Sequence, residues 1–152
     1  MDYDLSLSAT AAHQFVVSGE QVFSGFLDVE IMYAAFFGKN SELELISCQS
    51  DPVLGGRFAY AATLNGINRT HVGEYLELRN PNKLVFTWQV NLVELPVSKI
   101  CIDIEDKPEG AHLLLTHQLP LNWSSSLTQA EAAWAQFLVD FDQALILKKC
   151  SI

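Results

Sequence analysis

From residue 43 to residue 119 the chain passes through six short β-rich segments in succession, and an amphipathic stretch with helical spacing then closes it. That order constrains the fold more than any single motif does. The segments are 43–48, 57–64, 70–78, 84–90, 97–105 and 111–119. Turn chemistry separates them: Asp51-Pro52 with Gly55-Gly56, then Asn65-Gly66, Asn80-Pro81-Asn82, a looser connection over 91–96, and Pro108-Glu109-Gly110. Connections this short join neighbouring strands antiparallel. Asn65-Gly66 is the sharpest of them, because both central residues of a type I′ turn need positive φ, which Asn and Gly tolerate best.

The closing stretch opens at Thr128-Gln129-Ala130-Glu131, the pattern of a capping box in which hydroxyl and carboxylate each satisfy a free backbone donor. Leu127, Ala130, Trp134, Phe137, Leu138, Phe141 and Leu145 follow at i, i+3, i+4, i+7 spacing, while Gln129, Glu131, Gln136, Asp140 and Gln143 fall largely elsewhere. With Lys148 and Lys149 at the negative end of the dipole, this predicts a helix of about twenty residues, roughly 30 Å long. Ahead of the strands, residues 9–17 predict a first strand, and Ser18-Gly19 a turn that opens a helix. Apolar residues from Val22 to Phe37 then predict two short helices that turn around 27–29 and stop at Gly38. The order β, α, α, six strands, long α is an α+β pattern: a single domain over 1–152, with a curved antiparallel seven-stranded sheet wrapped around the last helix. A bent sheet cannot sit flush on a straight helix, so a cavity between them is a geometric expectation.

Eighteen acidic against nine basic residues give a formal charge of −9, which repels a phosphate backbone and argues against nucleic acid as a partner. No apolar run approaches the roughly twenty residues that span a bilayer, and the first residues lack a basic then apolar leader. A cytoplasmic location away from membranes is therefore expected. Cys48, Cys101 and Cys150 are odd in number and widely spaced, against both a disulfide framework and a zinc knuckle. Edge strands leave a monomer or a homodimer equally open.

Several runs carry a family likeness: Gly55-Gly56-Arg57-Phe58, then Val72-Gly73-Glu74-Tyr75 through Pro81-Asn82-Lys83-Leu84-Val85-Phe86-Thr87-Trp88, the alternating Ser98 to Ile104 strand, Leu115-Thr116-His117, and a closing Trp134-x-x-Phe137-Leu138-x-x-Phe141. Together they resemble the Aha-type domain, named after activators of a heat-shock chaperone ATPase and placed in the START-like, pollen-allergen-like helix-grip superfamily. The resemblance covers residues 10–145 and implies a helix-grip domain with an internal cavity. It implies a choice of roles as well, since relatives include chaperone cofactors, small-ligand binders and many small bacterial proteins. One departure stands at Phe36-Phe37-Gly38-Lys39, where the family pattern commonly has a proline.

Within this frame His117 attracts notice first. Alternation puts Leu113, Leu115, His117 and Leu119 on one face of the seventh strand, so His117 is expected in the core or the cavity wall, where it needs a hydrogen-bond partner. Metal binding would need further ligands and general acid-base work an orienting carboxylate, and no H-x-E, H-E-x-x-H or C-x-x-C motif supplies them. G-x-S-x-G, P-loop and G-x-G-x-x-G motifs are missing too, so neither a cofactor nor a catalytic residue is expected. Alternation likewise groups Phe58, Tyr60, Ala62 and Leu64, and Leu84, Phe86, Trp88 and Val90, facing the long helix. Phe58, Tyr60, Tyr75, Trp88, Trp134, Phe137 and Phe141 are therefore candidate cavity residues, with Trp88, Tyr60 and Tyr75 as polar handles. Glu74 counts onto the face of Val72, Leu76 and Leu78 and is a candidate polar anchor. These residues lead to an expected binder of a hydrophobic or amphipathic small molecule. A chaperone-interaction module is the alternative from the resemblance, and a cyclase- or hydrolase-like enzyme a further one that needs His117 and a cavity carboxylate such as Glu74 within reach of each other.

Overall fold

The computed structural model describes residues 7–37, 44–90 and 97–150 of the chain. Strand β1 (Leu7–Phe15) is followed by helices α1 (Gly19–Phe26) and α2 (Val29–Phe37), then by β2 (Glu44–Ser50), β3 (Arg57–Leu64), β4 (Ile67–Arg79), β5 (Lys83–Val90), β6 (Ser98–Lys107) and β7 (Gly110–Leu119). A short 3-10 segment (Leu121–Ser126), kinked at Trp123, leads into helix α3 (Leu127–Cys150). The strands form one antiparallel sheet in the order β1-β7-β6-β5-β4-β3-β2, curved around α3. Strands β2 to β7 lie side by side because their turns allow nothing longer, and β1 returns to close the other edge against β7. The predicted start of β2 at residue 43, the stop at Gly38 and the connection over 91–96 lie outside the described residues.

Asn65 has φ 52° and Gly66 φ 78°, the positive pair that a type I′ hairpin demands. The Gly55-Gly56 loop is stitched to β4 instead of standing free: Gly55 N–H donates to the Tyr75 carbonyl at 2.8 Å, and Tyr75 N–H to the Gly56 carbonyl at 2.9 Å. At this point β4 bulges against β5, between Tyr75 and Glu77. The bulge overturns the simple alternation expected there. Leu78 shifts out of phase with Val72, Glu74 and Leu76, pairs with Leu84 and packs against the core, whereas Leu76 remains exposed. Gly73 faces inward beside the bulge, where a Cβ would come within 2.4 Å of the Phe58 ring and 2.0 Å of the Thr87 carbonyl oxygen.

Helix α1 begins with a capping box: Ser18 Oγ accepts from Gln21 N–H at 3.2 Å, and the Gln21 side chain accepts from Ser18 N–H at 3.1 Å. Asp28 caps α2 by accepting from Glu30 and Ile31 N–H, and it is paired with Lys148 near the far end of α3. The expected box at the start of α3 is not used. The 3-10 turn feeds straight into the helix, so Thr128 is already inside it, and Glu131 turns its carboxylate to Thr10 N–H on β1 at 2.9 Å. Trp134, Phe137, Leu138, Phe141 and Leu145 form the buried stripe of α3, as their spacing predicts. They meet the inward rows of the sheet, from Phe15 on β1 through Leu113 and Leu115, Ile100 and Ile102, and Leu84 and Phe86, to Phe58 and Tyr60 on β3.

Candidate functional site

His117 lies on the inner face of β7 and is 6% exposed. Its two ring nitrogens are both engaged. Trp134 Nε1–H on α3 donates to Nδ1 at 2.9 Å, and Nε2 lies 2.6 Å from Ser98 Oγ on β6. Indole nitrogen can only donate, so Nδ1 is the acceptor and the proton resides on Nε2, which donates to Ser98. The Ser98 hydroxyl then donates to the Trp88 carbonyl on β5, at 3.2 Å. The chain Trp134, His117, Ser98, Trp88 is complete and neutral. Burial pushes the His117 pKa down to about 4, and a second proton on Nδ1 would face the indole N–H. His117 also borders a hollow of about 50 Å³ with Trp88, Leu119, Pro120 and Trp123. Its partners orient it and leave it neither base nor ligand.

Glu74 is elsewhere. It alternates with the inward Gly73 and Tyr75, its carboxylate lies 3.9 Å from Arg57, and its N–H donates to the Thr87 hydroxyl oxygen. Glu74 and His117 thus occupy opposite faces of the sheet. The acid-base pair that the cyclase- or hydrolase-like alternative requires is not assembled, and that alternative lapses. Among the described residues no group of three or more His, Cys, Asp or Glu could hold a metal ion.

Phe58, Tyr60 and Tyr75 come together deep under α1 and α2, where with Phe26, Met32 and Phe86 they enclose a void of only about 10 Å³. Ser50 and Tyr75 hydroxyls bond each other at 2.7 Å, and the buried Tyr60 hydroxyl lies close to both without a hydrogen bond of good geometry. Burial holds the Tyr60 pKa far above its ordinary value, so it is a neutral phenol. Phe141 is core, stacked on Phe26 at 4.3 Å and edge-on to Phe15.

Trp88, Trp134 and Phe137 line something larger. An open cleft of about 340 Å³ runs between α2, α3 and the inner face of β4 and β5, walled by these three with Phe36 and His71, and by Ala133, Gln136 and Asp140 at its α3 side. The His71 ring stacks flat on Phe36, with centroids 4.7 Å apart and planes 10° from parallel, and lies 4.8 Å from Trp88. Its Nδ1 is buried without a partner. Burial, and secondarily the charge of Arg69, pushes its pKa down to about 4. Sequence reasoning missed His71, Phe36 and Ser98, yet two of them had a signal. His71 is two and four residues from Gly73 and Tyr75 on the inward row of β4, and Ser98 precedes Ile100 and Ile102 on that of β6. A hollow of about 460 Å³ on the outer face is larger, but it is lined by Arg57, Glu74, Thr87 and Gln89 around the Gly73 gap and is shared by no helix. The cleft has the aromatic walls and the few inward polar atoms of a small-molecule site.

The family profile described as activator of Hsp90 ATPase homolog 1-like protein matches residues 17–145. Among solved structures, a Chromobacterium violaceum protein superimposes with a TM-score of 0.72 at 18% identity, over 91% of this chain and 96% of that one. A Rhodobacter sphaeroides protein gives a TM-score of 0.76 at 14% identity, over 92% of each chain. An AHSA1-like protein from Aeromonas hydrophila gives 0.72 at 16% identity, over 94% of each. Identities this low establish a shared fold and no more. No curated protein matches the sequence.

Proposed function

The chain belongs to the activator of Hsp90 ATPase homolog 1-like family, and from that premise we propose that it binds a hydrophobic or amphipathic small molecule between its sheet and α3. The observation that carries this reading is the 340 Å³ cleft walled by Phe36, His71, Trp88, Trp134 and Phe137. Its walls are aromatic, so transfer of an apolar surface from water into it is favourable at about 25 cal/mol per Å². Gln136 and Asp140, hydrogen-bonded to each other at 3.1 Å, supply a polar rim. His71 offers a deep polar group. Chemistry on the ligand is not part of the proposal, because the only inward histidine of the β7 row is fully consumed by Trp134 and Ser98. The co-chaperone alternative has only the family description behind it.

Filling the cleft from α3 tests the reading. Ala133 is exposed at the cleft wall, so Ala133→Trp is expected to abolish binding of the neutral fluorophore Nile red while leaving the melting temperature within a few degrees. Undiminished binding by the variant, or none by the unaltered protein, would remove the basis of the proposal.

A further inference from the structure

Three buried side-chain polar atoms among the described residues have no hydrogen-bond partner, and two of them belong to neighbours of a single ring. They are His71 Nδ1 and the Tyr60 hydroxyl, the latter with the Ser50 and Tyr75 hydroxyls close by, and both side chains lie against Phe36, at centroid separations of 4.7 and 5.4 Å. Buried groups of this kind are rare in native proteins, since water would have paired them and an apolar neighbour cannot.

Phe36 is unusual in its own right. It sits in the last turn of α2 and is only half buried, yet its ring touches Phe37, Tyr60, His71, Trp88 and Phe137. The slot it fills has His71, Trp88 and Phe137 for walls and Tyr60 at its inner end. Beyond Tyr60 lies the void of about 10 Å³, too small for any ligand. Room for a guest that reaches the two unpaired atoms must therefore come from the Phe36 ring leaving. A helix-terminal side chain can swing out by rotation about its own side-chain bonds, without disturbing the sheet.

We propose that Phe36 is a built-in stand-in for the ligand: a neutral aromatic molecule bearing a hydroxyl displaces its ring, stacks on His71 and Trp88, and hydrogen-bonds to His71 Nδ1. This rests on the small-molecule reading of the cleft given above. A hydroxyl both donates and accepts, so it satisfies Nδ1 in either tautomer. The ligand is neutral because no Lys or Arg lines the cleft among the described residues, an anion would pass the Asp140 carboxylate, and the uncharged imidazole offers a charged group nothing to offset its desolvation. Flat stacking at 10° in the present structure shows the geometry that His71 imposes on an aromatic partner.

The test is a titration of the intact protein with 2-naphthol, naphthalene and 2-naphthoate, followed by fluorescence and by NMR. Binding of 2-naphthol is expected to be about tenfold tighter than that of naphthalene, the difference made by pairing one buried polar atom. 2-Naphthoate should bind more weakly than either. At saturation the Phe36 to His71 contact should vanish from the NOE spectrum and be replaced by contacts from the naphthol ring. Phe36→Ala, or Phe36→Leu if the first variant does not fold, should tighten 2-naphthol binding by removing the competitor. His71→Phe should abolish the preference for naphthol over naphthalene. Persistence of the Phe36 to His71 contact at saturation, equal affinity for naphthol and naphthalene, or a preference that survives His71→Phe would each overturn the inference. Naphthalene bound with Phe36 in place would overturn it while leaving the cleft reading intact. Failure of both compounds to bind either protein would overturn both.

Discussion

His117 shows how far a single residue can be read from alternation. Its burial on the face of Leu113, Leu115 and Leu119 follows from a period of two, and the structure agrees. Its partners do not follow, because Ser98 reaches it only through the β6 to β7 register and Trp134 only through the rotation of α3. The closed chain of donors and acceptors makes a definite prediction. Removing the indole donor with Trp134→Phe should raise the His117 pKa from about 4, as the ring nitrogen facing α3 is no longer opposed by an N–H. NMR titration of the imidazole would show it, and an unchanged pKa would contradict the assigned tautomer. The two depressed histidines also set a pH dependence. His71 and His117 titrate near 4 in the folded chain and near 6.5 when unfolded, so between those values the unfolded chain takes up protons that the folded one refuses. Stability should therefore rise as pH increases from 4 to 6.5, by up to about 1.4 kcal/mol per pH unit for each histidine. Urea unfolding at pH 5 and pH 7 measures this, and equal midpoints at the two pH values would contradict it.

Elements were legible where local chemistry decides them. The Asn65-Gly66 hairpin, the break around Asp28 and the buried stripe of α3 are all marked by patterns within a short stretch of sequence, and each lies where its pattern puts it. Patterns failed where a distant segment competes. Thr128 and Glu131 have the spacing of a capping box, but Leu121–Ser126 already supplies a turn ahead of α3, and Thr10 of β1 claims the carboxylate. Leu78 leaves the face of Glu74 because the Gly55-Gly56 loop binds Tyr75 and β4 bulges beside it. The difference between the two boxes can be measured. Ser18→Ala, which removes a working cap, should cost about 1 kcal/mol, whereas Thr128→Ala should cost less than about 0.5 kcal/mol. Thermal unfolding of the two variants checks this, and a larger loss at Thr128 would contradict it.

For the molecule as a whole, element order alone specified a curved sheet gripping a long helix, and the family profile and the superimposed structures accord with it. The site was less legible. Trp88, Trp134 and Phe137 were identifiable as inward aromatics, but whether such residues line a cleft or fill a core depends on how α2 docks. Docking sends Phe58, Tyr60, Tyr75 and Phe141 to closely packed positions and places Trp88, Trp134 and Phe137, themselves buried, along the cleft beside Phe36 and His71. Among the described residues no helix is long and apolar enough to cross a membrane. On the proposed reading the cleft, rather than the larger outer hollow, takes the ligand. Amide and aromatic chemical-shift mapping during titration with 2-naphthol tests it most directly: perturbations should centre on Phe36, His71, Trp88, Trp134 and Phe137, and a pattern centred on Arg57, Gly73, Glu74 and Thr87 would contradict it.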